Sequence, residues 1–183
     1  ATLDELIDRH GAMPTEAANP MAVEVAGALE TAQLHGVGHS DDAPSNIHRA
    51  AGGWKQADFG SACADESGDG QPRPFTLAHA APEAVRGEPG TPARDVYGLA
   101  STLAHALGGE PPFGAPGSAP SSEIEGRIVT EPVPDLRLSG VPDALCRVIE
   151  RAMSKDPGRR PTAIGLAEEL VAAAASMGVT VVP

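Results

Sequence analysis

The stretch VGHSDDAPSNI, residues 37–47, carries His39, Asp41, Asp42 and Asn46 within a few positions of one another. Carboxylate and amide oxygens are hard donors, suited to taking a proton from a hydroxyl or holding a small divalent cation. Another carboxylate, Asp58, follows in the tripeptide DFG. Three readings compete for the stretch: a catalytic loop, a metal-binding loop, or an ordinary solvated turn. Asp, Pro, Ser and Asn are the usual turn formers, so taken alone it favours the turn. A metallohydrolase ligated by His39, Asp41 and Asp42 needs two neighbouring aspartates to converge, and no second His/Asp cluster completes such a site. His10, His35, His48, His79 and His105 are scattered along the chain, as surface or core histidines are.

The elements around this stretch must position it. Thr2 and Glu5 have capping-box spacing, Leu3, Leu6 and Ile7 share a face, and Gly11 can close a first short helix. In NPMAVEVAGALETAQLHG, Asn19 is a good N-cap, Pro20 suits the first helical position, and Met21, Val25, Ala28, Leu29 and Ala32 recur at helical spacing. Short strands are expected around Ile47 and from Trp54 to Ala57, joined by a hairpin turn in AAGGW. SACADESGDGQPRP, residues 61–74, has the composition of a mobile loop. The clearest helix lies in ARDVYGLASTLAHALGG, residues 93–109, ending at Gly108-Gly109. EPPFGAPGSAPSS is another loop, and two further amphipathic helices fall in VPDALCRVIERAM and PTAIGLAEELVAAAA. The expectation is a mainly α fold with a small β-hairpin and no internal repeat.

Composition narrows the function. A chain of 183 residues with net charge −12 is one domain or one piece of a larger one, and its acidity argues against nucleic-acid or anionic-membrane partners. Hydrophobic residues make up 41% and aromatics 3%, so Leu, Val, Ile and Ala must fill the core. Cys63 and Cys146 lie far apart in no ligand spacing, which fits a reducing cytoplasm, and no apolar run approaches membrane-spanning length. A first residue of Ala1 suggests a processed terminus or an excised piece.

Taken in order, these segments resemble the C-terminal lobe of a bacterial Hanks-type (eukaryotic-like) serine/threonine protein kinase. HSDDAPSN, residues 39–46, is similar to the catalytic loop written H-R-D-x-K-P-x-N; DFG at 58–60 to the metal-binding tripeptide; APE at 81–83 to the end of the activation segment. DVYGL at 95–99 is similar to the start of the central helix, and SKDPGRRP at 154–161 to the loop whose arginine pairs with the A-P-E glutamate. One tripeptide is weak evidence; five matches in order are not. The resemblance covers residues 1–172 as a partial kinase domain and leaves 173–183 as a C-terminal tail.

The resemblance implies roles. Asp41 matches the catalytic carboxylate that orients the substrate hydroxyl and accepts its proton; Asn46 and Asp58 match the Mg²⁺-binding side chains; ATP is the implied phosphoryl donor. His48 stands where the family places an apolar residue under the adenine. His39 and Phe59 match a packing stack. Asp95 would accept catalytic-loop N–H groups, Glu83 and Arg160 would form a buried structural ion pair, and Thr76 would hold the substrate-binding loop. Asp42 has no such role, and replacing it is expected to matter little.

Departures accompany the match. Ser40 replaces an arginine that would meet an activation-loop phosphate, Ala43 replaces the lysine that contacts the γ-phosphate, and Gln56 replaces a usually apolar residue. No GxGxxG loop occurs, and the two lysines, Lys55 and Lys155, both follow the catalytic loop. The expectation is therefore a C-lobe without its N-lobe, transferring phosphate from Mg-ATP to protein Ser/Thr hydroxyls when completed, and impaired alone. Its partners would be a protein substrate or an N-lobe in the parent chain. The alternative is a pseudokinase-type regulatory or protein-binding module.

Overall fold

Capping places the first helix. Thr2 Oγ1 accepts the Glu5 amide at 3.1 Å while the Glu5 carboxylate accepts the Thr2 amide at 3.1 Å, closing the capping box expected at the head of α1, Leu3–His10. Leu3 and Ile7 face the core, and Gly11 at φ 76° ends the helix with its N–H on the Ile7 carbonyl. Replacing Thr2 by alanine removes one reciprocal bond and is expected to cost about 1 kcal/mol, read as a lower urea midpoint at unchanged m-value.

The structure, a computed structural model, describes residues 1–39, 41–57 and 76–178. Asp58, Phe59, Ser40 and the loop expected at 61–74 lie outside the described residues.

The second helix, α2, runs Thr15–Leu34, so Asn19 and Pro20 lie inside it instead of starting it. Tertiary packing overrides the local signal. Ala18, Met21, Ala22 and Val25 are buried, and the buried Asn19 side chain donates from Nδ2 to the Leu170 carbonyl at 3.1 Å. That bond ties α2 to the far end of the chain, although Pro20 brings no N–H to the helix ladder.

The hairpin forms where expected. β1, Ile47–Ala50, pairs antiparallel with β2, Gly53–Gln56, in the register Ile47 opposite Gln56 and Ala50 opposite Gly53. The Trp54 amide donates to Glu24 Oε2 at 2.6 Å, fastening the hairpin to α2, and the Arg49 amide reaches the Ala1 carbonyl at 3.0 Å.

A short helix, α3 at Pro82–Val85, precedes the central α4, Pro92–Gly108. Every residue of α4 from Asp95 to Leu107 is buried, the signature of a helix surrounded by protein. Thr91 caps its start, and Gly109 ends it in the left-handed region at φ 82° with its N–H on the His105 carbonyl at 2.7 Å.

Next comes α5, Ser121–Thr130, a helix the sequence pattern did not announce. Ile124 and Ile128 are its buried residues, Arg127 ties it to the Phe113 carbonyl at 3.3 Å, Gly126 weakens its propensity and no side chain caps its start, so packing holds it more than local propensity does. The helices α6, Asp143–Ala152, and α7, Ala163–Ser176, complete the core, the latter packing along α2. Among the described residues the fold is mainly α, seven helices with one hairpin, and no helix is long and apolar enough to cross a membrane.

Candidate functional site

Pro44 opens a 3₁₀ turn, Pro44–Asn46, whose end runs directly into β1. Asn46 therefore sits at one mouth of the hairpin and Ala57 at the other, and the Ala57 amide donates to the Asn46 carbonyl at 2.8 Å. The side chain of Asn46 turns back on the loop. Its Nδ2 donates to the Asp41 carbonyl at 2.9 Å and to Asp41 Oδ2 at 3.1 Å. The backbone amide of Thr76 donates to Asp41 Oδ1 at 3.1 Å. Each oxygen of the Asp41 carboxylate thus has one donor, which fixes its orientation.

Beneath the loop, His39 is fully buried. Its amide donates to Asp95 Oδ2 at 3.0 Å and its Nε2 lies 2.7 Å from the Ala57 carbonyl. Asp95, at the head of α4, also receives Gln33 Nε2 from α2 at 3.3 Å. One buried carboxylate joins two helices to the loop.

The activation-segment end is fixed separately. Arg160 donates two bonds to Glu83, at 2.5 and 2.9 Å, and its remaining donors reach the Ser154 and Ala93 carbonyls, both at 2.9 Å. Its guanidinium also lies 4.9 Å from the Tyr97 ring centre. Burial pushes the Glu83 carboxyl up, but the hydrogen bonds and charge of Arg160 outweigh it and hold the group below its usual range.

The structure brings Asp41, Asn46 and the Thr76 backbone together, supported by His39 and Asp95, while Glu83 and Arg160 meet elsewhere. His48 stands on β1, paired with Lys55 and bridged to Thr2. Ala43 is 1% exposed. A lysine placed there would have to lead its stem out of the core.

Two features escaped the sequence reading. Asp42 is 4% exposed, not an expendable turn residue, and is bonded by Gln56 Nε2. The available signal was two polar residues, Asp42 and Gln56, at inward positions of the loop and of β2. His79 and His105 also meet, with stacked rings whose centres are 5.3 Å apart, and His79 Nδ1 lies 3.0 Å from Ser101 Oγ. Burial, then the neighbouring His105, depresses His79 to about 3, so it is a neutral core residue.

A divalent cation held partly by nucleotide phosphates needs only one or two protein oxygens. Asn46 uses its amide nitrogen on Asp41, leaving its oxygen as a hard acceptor of the kind Mg²⁺ takes, while Asp58 lies outside the described residues. Among the described residues no group of three or more His, Cys, Asp or Glu forms a metal cluster by itself.

The protein kinase domain profile matches residues 1–173. Similar curated proteins include the serine/threonine-protein kinase PknK of Mycobacterium tuberculosis, 37% identical over 92% of this chain and 16% of its own. PkaA of Streptomyces coelicolor is 35% identical over 97% of this chain and 33% of its own. PknJ of Mycobacterium bovis is 37% identical over 94% and 31%. The chain thus spans at most a third of the length of these three relatives.

Proposed function

Because the chain belongs to the protein kinase domain family, we propose that it supplies the catalytic-loop half of a serine/threonine kinase, with residues 1–172 as the kinase part. The observation that carries the reading is the doubly held Asp41 carboxylate, with Asn46 and Thr76 as its two donors.

Phosphoryl transfer depends mainly on positioning and charge stabilisation. Asp41 would accept a hydrogen bond from the substrate hydroxyl and then its proton. Thr76, through its backbone, would keep the substrate-binding loop registered against that carboxylate. Asn46 and Asp58 would hold Mg²⁺ with ATP, and the bound cation would neutralise charge on the transferring phosphate. His39, Asp95, Glu83 and Arg160 maintain the scaffold, and Phe59 would pack in the same stack as His39. His48 would lie under the adenine. The protein substrate would dock beside the Thr76 segment, and an N-lobe would provide the glycine-rich loop and the lysine that these 183 residues lack.

The buried Ala43 favours a second reading, a regulatory module that binds protein without transferring phosphate. Removing one preorganised donor to a charged transition state costs about 10²–10³ in rate, so on the first reading the chain is slow rather than inert. The test is the melting temperature with Mg²⁺ and ATP, against an Asp58→Asn variant. A ligand that binds only the folded chain raises the melting temperature. A Mg²⁺-dependent rise that disappears in the variant is the expected result. No rise at millimolar nucleotide would move the assignment to the binding module or to a half-domain that binds nucleotide only with its N-lobe.

A further inference from the structure

The catalytic loop is joined to the hairpin by more than backbone bonds. Asp42 and Gln56 are 4% and 9% exposed, and the Gln56 amide donates to Asp42 Oδ1. Gln56 Oε1 has no partner among the described residues, so the amide depends on Asp42 for its side-chain hydrogen bonding. The rest of the pocket is shaped around the same carboxylate. Thr102 on α4 donates to the Asp42 carbonyl at 2.5 Å, and a Cβ at Gly98 would stand 3.0 Å from Asp42 Cβ and 3.2 Å from Oδ2. Alanine at 98 would crowd Asp42; glycine leaves the space that it fills.

We propose that Asp42 and Gln56 are a matched pair of positioning residues that clamp the catalytic loop to the end of β2, and so hold Asp41 in register with the strand that leads toward D-F-G. The proposal rests on the kinase reading for its functional consequence. Asp42 adjoins Asp41, and Gln56 lies two residues before Asp58. The clamp adds to the His39 and Asn46 bonds that Ala57 makes between them. On this account Gln56 is the buried partner of Asp42, not decay of an apolar site.

The physics of a buried polar pair makes the two residues interdependent. Removing one partner strands the other without water, whereas removing both in favour of apolar groups is close to neutral. The groups facing Asp42 sharpen this. His39 Nδ1 lies 3.4 Å from Oδ1, and the charges of Asp95, Asp41 and Arg94 also act on it. Burial, followed by the Asp95 charge, pushes the Asp42 carboxyl well above its usual range. An asparagine, of the same size and able to accept from Gln56, should serve nearly as well.

The experiment compares Gln56→Leu, Asp42→Leu, the double Leu variant and Asp42→Asn in this chain. Three quantities are read: melting temperature, amide hydrogen exchange across residues 41–57, and the Kd for Mg²⁺-ATP in the fully folded protein. Either single Leu variant should lower the melting temperature, speed exchange at the Asn46 and Ala57 amides about tenfold or more, and weaken nucleotide binding about tenfold. The double Leu variant should recover the melting temperature, and Asp42→Asn should recover all three. Additive losses in the double variant, or unchanged exchange in Gln56→Leu, would overturn the clamp. Fast exchange with wild-type nucleotide affinity would reduce the pair to a structural contact and overturn its positioning role. If the wild-type chain alone binds no nucleotide, affinity is read in a chain completed by an N-lobe, and failure there defeats the kinase reading alone, because exchange and melting still decide the clamp.

Discussion

Replacing Arg160 with methionine is expected to lower the stability of the fold by about 3–5 kcal/mol, a large share of the roughly 5–15 kcal/mol that a domain possesses. The reason is what remains behind. Glu83 is 3% exposed, and the substitution removes both of its guanidinium bonds while leaving the carboxylate in place. The Ser154 and Ala93 carbonyls lose donors in the same step. A double variant with leucine at 83 should recover much of the loss, because no charge is then left unpaired.

The pH dependence follows from the depressed Glu83 carboxyl. A group whose folded-state value is lowered contributes fully above its unfolded value, here 4.5, and loses that contribution as pH falls through the folded value. Urea midpoints measured at pH 7 and on descending below pH 4.5 should show the Glu83 contribution declining in the wild-type chain. In the Arg160→Met chain that contribution should be missing. An Arg160→Met protein with a wild-type midpoint at pH 7 would mean that the pair contributes nothing.

Asp41→Asn is the second large effect, on chemistry instead of stability. In a chain carrying its N-lobe, kcat for phosphoryl transfer should fall about 10²–10⁴-fold, the usual contribution of a positioned general base. Asparagine keeps an oxygen for the Thr76 amide, and Asn46 keeps its bond to the residue-41 carbonyl while losing the one to Oδ2, so the loop should stay in place with a small fall in melting temperature. KM for ATP should stay within a few-fold, since in the proposed role Asp41 would meet the substrate hydroxyl and not the nucleotide base. A fall of less than tenfold in kcat would remove Asp41 from the base role.

Local signals explain which parts of this molecule were readable. The Thr2–Glu5 capping box, the Gly52-Gly53 turn and the apolar stripe of α4 are each set by residues close in sequence, and each element formed as expected. Asn19 and Pro20 misled because a long-range bond to Leu170 and burial against α7 outweigh a good local cap. The helix α5 was missed because two isoleucines around a glycine make too faint a period. At the candidate site, motif order singled out Asp41 and Asn46, which the fold brings into contact. The burial of Asp42 was not, since it depends on Gln56, Thr102 and Gly98, which the chain brings together only on folding.

The contact between α2 and α7 has a consequence during synthesis. The two helices lie near opposite ends of the chain, yet Ala18, Ala22 and Asn19 are buried in a fold whose closing helix is α7. A ribosome adding about 5–20 residues per second delivers α7 on the order of 10 s after α2 has emerged. Throughout that interval the side of α2 that α7 will cover has no native partner, although β2 and α4 can already pack on the rest, leaving that strip of the nascent chain to a chaperone or to its neighbours on the polysome.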